Sequence, residues 1–355
     1  MAFTNPLLLS SFVTPDAITR LTEFSYEFQQ VYAAQPSNWA EQRGLVRLSN
    51  SILTRFPMSA SMALFKKLVG DFEYRRLAQK FMTVDLPEPW QDGITELADV
   101  LEAPDFTGWG DEPSNMALQA VAAPSTAVAA ALAAGKTANT WEDDYAGGVH
   151  FFDAAHPVNP LKSTGVTYKN LYTGFGLTGP NIDTVWQDVR KIKAPNGVTP
   201  RGLRLGGIMV PSTMERAAMR LCKDDRILVQ SGSSTATVER YNNIKELNLE
   251  VIVCDELTED DVWYPLVTAE GKGKPWIIQK RIPGLALPVS GATPAEVGAM
   301  NAGAPAPFEW IINDKGSALY KDGASGRPSG FVSIAAKLSL GITLAHPWTI
   351  YRCET

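Results

Sequence analysis

The chain has 355 residues, 45% of them hydrophobic and 20% charged, which is the make-up of a globular protein with length for one large or two ordinary domains. Thirty-two basic against 38 acidic side chains leave a net charge of −6, so the molecule as a whole repels a polyanion and does not suit a sequence-specific DNA reader. Cys222, Cys254 and Cys353 stand far apart with no C-x-x-C spacing, which argues against a disulfide framework or a zinc ribbon and for reduced cytosolic thiols.

In chain order, "MAFTNPLLLSSF" has no basic leader and too short an apolar run for a secretory signal, so no targeting segment is expected. Thr14 as N-cap and Pro15 at the first helical position open a helix with Ile18, Leu21, Phe28, Val31 and Tyr32 on one face, ending before Pro36. A basic arm would be lopsided. Here Arg20, Arg43, Arg47 and Arg55 are balanced by Asp16, Glu23, Glu27 and Glu41.

The segment 66–102 is basic early (Lys66, Lys67, Arg75, Arg76, Lys80) and acidic late (Asp85, Glu88, Asp92, Glu96, Asp99, Glu102), and "LPEPW" at 86–90 is a turn signal joining two extended arms. An exposed hairpin of this kind cannot bury a core of its own; it is either a solvated ribbon or docked on another subunit. From Asp111 a long helix is expected up to Gly135, with acid at its start, glycine as a left-handed cap, and Pro124 kinking or splitting it. Gln119, Pro124, Ser125 and Thr126 interrupt its alanines, so no membrane span is expected.

Beyond it the texture turns glycine-rich and β-leaning. Ile182, Val185, Trp186, Val189 and Ile192 mark a helical face capped by Asn181 or Asp183, and Ser212 with Glu215 forms a capping-box pattern before a second helix. "LEVIVCDEL" predicts a buried strand, and strands follow in "PFEWIIND", "FVSIAAKLSLGITL" and "HPWTIYRC"; "VSGATPAEVGAMNAGAPAP" is expected to be a surface loop.

The chemistry-bearing residues are few. "AGGVHFFDAAHPVNP", 146–160, holds His150, Asp153 and His156. On a strand the two histidines share one face and Asp153 the other, and on a helix spacings of three and three fan the groups apart, so neither conformation builds a local metal or acid/base triad. His346, which also precedes a proline, could complete only a distant cluster; a strand burying Phe151 or Phe152 is the simpler reading. "GFGLTG", 174–179, is a weak phosphate-loop pattern, and Glu142, Asp143 and Asp144 read as an acidic turn before a cation site. G-x-S-x-G, P-loop and H-E-x-x-H patterns are missing from the sequence.

Several stretches taken together resemble one family: "TPDAITRLTEFSYEFQ" with "QPS", "EYRRLAQKFMTVDL", "ITELADVLE", "YAGGVHFFDAAHPVNP", "LGGIMVPSTMERAAMRL", "NLEVIVCDELTEDDVWY" and "KPWIIQKR". The most specific are Phe-Phe-Asp-x-x-His-Pro at 151–157 and Met209-Val-Pro at a helix start. They are similar to the major head subunit of Mu-like phages and prophages. The resemblance implies the α+β Hong Kong 97 type capsid fold and a major capsid protein that self-assembles into an icosahedral head around double-stranded DNA.

It implies an N-terminal arm (1–65), an extended hairpin loop lying over a neighbour (66–102), a peripheral domain with a spine helix (103–146), an axial domain (147–288) and a return to the peripheral domain (289–355). It further implies pentamers and hexamers of the chain, a separate scaffold and maturation protease, a portal, a possible decoration protein, non-specific contact with packaged DNA, no membrane, no cofactor and no catalysis. The location implied is the virion capsid, assembled in the bacterial cytoplasm. No partner residue matches the covalent crosslink of some relatives. Arg75, Arg76, Lys80 and Trp90 are the candidate inter-subunit contacts. Two other functions remain open: a nanocompartment shell of the same fold, and a metal-dependent hydrolase using His150, Asp153 and His156.

Overall fold

The computed structural model describes residues 15–48, 54–59, 79–84, 88–97, 100–101, 103, 105–137, 149–159, 161, 165–230, 237–267, 273–280, 308–313 and 331–355. Helix α1, Pro15–Ala34, buries Leu21, Phe24 and Phe28 at spacings of three and four, the stripe an amphipathic helix turns to a core. Phe24 meets Trp109 and Phe28 meets Phe308, both edge-on at 5.1 Å. A short helix α2, Trp39–Arg43, follows and leads into strand β1, Leu45–Leu48.

The two arms either side of "LPEPW" are extended, but they do not pair with each other. Strand β2, Thr54–Ser59, pairs antiparallel with β3, Gln79–Val84, as a two-stranded ribbon. Strand β4, Glu88–Leu97, turns instead to a long strand near the C-terminus, β15 (Phe331–Leu344), and matches it from Glu88 opposite Leu340 to Leu97 opposite Phe331. The reason lies in the side chains: Trp90 falls opposite Leu338 and Ile94 opposite Ile334, apolar pairs on a buried face that a free hairpin could not offer. Arg75 and Arg76 lie outside the described residues, between the two strands of the ribbon.

Helix α3, Glu112–Ala134, is one element through Pro124 and is not split. Side-chain donors serve the carbonyls of the turn before the proline: Asn38 Nδ2 to Val121 at 2.6 Å, and the hydroxyls of Ser125 and Thr126 to Ala122 at 2.8 and 3.1 Å. Gly135 ends the helix in a right-handed conformation, φ −61°, and not as the left-handed cap expected. It is glycine for space: a Cβ there would stand 2.9 Å from Leu344 and 3.0 Å from Phe152. By length and composition α3 could cross a membrane, yet Met116, Ala117, Val128 and Leu132 are buried in the same core as the sheets.

Two five-stranded sheets organise the rest. The first runs β1, β13 (Trp276–Lys280), β15, β14 (Phe308–Asn313), with β4 also on β15. The second runs β11 (Glu250–Val253), β8 (Leu205–Val210), β12 (Val262–Val267), β16 (Arg352–Glu354), β7 (Leu171–Thr173). β8 and β11 are parallel and are linked through helix α5, Glu215–Lys223. Strand β13, 276–280, joins the first sheet, and β16, 352–354, joins the second.

Three local expectations change. β11 is half-buried because it is an edge strand of its sheet. Helix α4, Gly179–Lys191, buries Ile182, Val185 and Val189 as expected, but its N-cap is Thr178, and Asn181 Nδ2 donates to the Gly176 carbonyl at 2.8 Å. Ser212 opens a 3-10 turn, Ser212–Met214, and makes no capping bond to α5. The segment 289–307 and Glu142, Asp143 and Asp144 lie outside the described residues.

The tight pairing of β4 with β15 generates a prediction. A Cβ on Gly93 would come within 2.5 Å of Ala335 Cβ and 2.7 Å of the Ile334 carbonyl, so Gly93→Ala should cost about 1–3 kcal/mol by overpacking, read as a lower urea midpoint with unchanged m-value.

Candidate assembly surfaces

The histidine segment is not a strand but a bend, and it buries both phenylalanines. Phe151 and Phe152 are within 1% of fully buried and meet edge-on at 4.9 Å, which successive residues of a regular strand cannot do. Only His156 and Pro157 form a strand, β5, paired with β6, Thr167–Tyr168.

Asn170, fully buried, is the node that holds the bend, and no motif marks it. Its Nδ2 donates to the carbonyls of Phe151 (2.8 Å) and Pro347 (3.0 Å), and its Oδ1 accepts from Asp153 N at 2.9 Å. His156 Nε2–H donates to the same Phe151 carbonyl at 2.9 Å, and Asp153 Oδ1 accepts from Ala155 N at 2.9 Å in a local turn. His346 Nδ1–H donates to the Lys274 carbonyl at 3.0 Å.

Burial drives His156 down to about 4, against the opposing pull of the Asp153 charge, and burial likewise takes His346 to about 4. Both imidazoles are neutral struts between backbone groups. Among the described residues no group of three His, Cys, Asp or Glu side chains could hold a metal ion. Burial also raises the thiols, Cys222 to about 11 and Cys254 and Cys353 further, which removes them as nucleophiles at neutral pH. The glycine loop 174–179 is spoken for as well: Phe175 N donates to Glu354 O at 2.8 Å, and the Phe175 carbonyl accepts from Trp263 Nε1 at 2.8 Å.

What the fold leaves open are sheet edges and thin ribbons. Lys80 is placed on β3 of the β2–β3 ribbon. Trp90 is half-buried on β4, at a groove of about 280 Å³ between β4, α1 and α3 that Phe28, Met116 and Phe308 also line. A second ribbon, β9 (Arg226–Gln230) with β10 (Thr237–Tyr241), pairs with neither large sheet and carries Tyr241 61% exposed at its end. At the open edge of the first sheet β1 exposes Val46 and Leu48. Arg75 and Arg76 lie outside the described residues, and Lys80 is placed by its backbone, opposite Met58; of the four candidates the Trp90 side chain is the one described.

Compared with solved structures, a chain of Microbacterium phage Oxtober96 matches 90% of this chain and 91% of its own length with a TM-score of 0.51 at 9% sequence identity. The chain has the Hong Kong 97 type α+β fold. A chain of the bacteriophage JBD30 procapsid matches over 97% of this chain and 76% of its own (TM-score 0.47, 14% identity). A chain of the holo-SrpI encapsulin complex from Synechococcus elongatus PCC 7942 matches over 90% and 87% (TM-score 0.44, 9% identity). By sequence, neither a family model nor a curated protein matches.

The buried histidines make acid stability a test of this reading. An imidazole whose pKa falls from 6.5 unfolded to about 4 folded contributes its full stability above pH 6.5 and loses it as pH drops towards 4. For His156 the loss is up to about 3 kcal/mol. Denaturant titrations should show stability falling from pH 6.5 to 4, with a smaller fall in His156→Gln; equal slopes would contradict the neutral-strut assignment.

Proposed function

We propose that this chain is a shell subunit, the major capsid protein of a phage-type particle, which closes in many copies into an icosahedral head around double-stranded DNA. The observation that carries the reading is the Hong Kong 97 type fold together with two ribbons that hydrogen-bond to neither large sheet among the described residues. A two-stranded ribbon is at best marginal alone in water; β2–β3 has the contact of β3 with β15, and β9–β10 stands apart from both sheets in its pairing. Both are supported if copies of the chain cover them. Obligate interfaces commonly bury about 2,000–5,000 Å², and a closed shell repeats each one by symmetry.

In this reading the β2–β3 ribbon, with Arg75, Arg76 and Lys80, reaches a neighbour, and the β9–β10 ribbon faces copies around five- and six-fold axes. Trp90, packed within its own chain, serves the acceptor side. By motif the chain resembles the Mu-like head subunit. A separate scaffold, maturation protease and portal complete the assembly, in the bacterial cytoplasm before the subunit ends in the virion. The negative charge suits a container whose wall must not hold the packed DNA tightly.

The test is electron microscopy of particles from cells expressing the chain with its neighbouring assembly genes, followed by nuclease treatment and analysis of the contents. Closed shells protecting double-stranded DNA are expected. Shells filled with one enzyme and no DNA would favour the nanocompartment alternative, and discrete small oligomers would reject enclosure.

A further inference from the structure

Seven residues, Asn38–Gly44, touch three parts of the molecule that are remote in sequence. Asn38 caps α2 through Oδ1, which accepts from Glu41 N at 2.9 Å, while its Nδ2 reaches the Val121 carbonyl of α3 at 2.6 Å. Towards the first sheet, the Ala40 carbonyl accepts from Trp276 Nε1 at 2.7 Å, Glu41 pairs with Lys280, and Trp39 meets the Trp276 ring edge-on at 5.7 Å. Gly44 lies so close to Trp276 that a Cβ would come within 2.5 Å of the indole. Towards the second sheet, Trp39 Nε1 donates to Glu256 Oε2 at 2.9 Å, the Ser125 hydroxyl of α3 holds the other oxygen of that carboxylate, and Arg43 pairs with Glu250 on β11.

The two sheets are joined a second time near the C-terminal end of α3. There Phe152 N donates to Gly135 O at 2.9 Å, Lys136 pairs with Glu354 at 2.6 Å, and the backbone passes from β15 of the first sheet to β16 of the second. From Ala123 to Gly135 the helix rises about 18 Å, so the attachments are well separated. A body fixed at one point by chain crossovers can rotate about it; a second attachment removes that rotation. The two attachments differ in kind. The crossover cannot be undone without unfolding, whereas among the described residues Asn38–Gly44 holds the second sheet through a partly exposed ion pair to β11 and an indole–carboxylate bond to Glu256 in the turn after it, each of modest strength.

We propose that Asn38–Gly44 is a releasable strap that sets the angle between the two sheets and, in the assembled particle, the curvature at which copies close. The second half of this rests on the shell reading given above. A small rotation of one sheet against the other changes the angle between neighbouring subunits at every repeated contact, so the strap selects one shell size from those the same fold can make.

The experiment compares full-length wild type with Trp39→Phe, Glu256→Ala and the double variant, expressed under the conditions that yield particles, with diameters read by electron cryomicroscopy. Wild type should give one diameter class, each single variant should lose it to a mixture, and the double variant should be no worse than Glu256→Ala, because the bond between the two groups is already lost there. A single wild-type diameter class in all three would overturn the proposal. If those variants do not fold, the exposed pair decides: Arg43→Glu should lose the single class and Arg43→Glu with Glu250→Arg should restore it, whereas unchanged diameters in Arg43→Glu contradict the strap. If wild type forms no shells, the enclosure reading fails by itself. Small-angle scattering of the monomer then tests the angle, with a shifted profile expected for Trp39→Phe and an unchanged one counting against it.

Discussion

The close approach of Gly135, Phe152 and Leu344 is the constraint on which the two halves of this molecule depend. At that point the end of α3, the bend after residue 150 and the end of the longest strand must pass within van der Waals distance, because the chain changes sheets there. A side chain on residue 135 would hold the parts away from each other. Asn170 then locks the passage with bonds to Phe151 and Pro347, and Arg352 completes it on the far side, its guanidinium almost fully buried and held in two-pronged fashion by Glu259. The short irregular pieces between the sheets are therefore as firmly specified as the strands.

Features set by local chemistry were legible in the sequence. The faces of α1 and α4, the extent of α3 and the strands at 250–253, 308–313 and 331–344 follow from periodicity and turn residues, and the structure has all of them. The segment that holds His150, Asp153 and His156 bends instead of running as the strand that its pattern suggests. What pattern could not show was pairing between distant segments. The swap that sends β4 to β15, at the far end of the chain, depends on Trp90 and Ile94 finding Leu338 and Ile334, which no local window contains. Pro124 does not split α3, and one of the donors to the turn before it, Asn38, comes from the cap of another helix.

The candidate contacts divide along similar lines. Trp90 stands out as a large aromatic in a charged stretch, and the structure shows it packed within its own chain as well as bordering a groove. Asn170 and the strap residues carry no motif; a lone asparagine or a Trp-Ala-Glu run looks like ordinary sequence until its partners are known. Their roles come from tertiary position, and a residue whose work is to hold two sheets at an angle leaves no periodic trace.

The proposed shell reading makes one claim: the chain is complete only among copies of itself. Charge-detection mass measurement of the purified particle tests this most directly. Enclosure predicts a species of multi-megadalton mass most of whose protein is the 38.6 kDa chain. A stable monomer or dimer under the conditions that support assembly would contradict it.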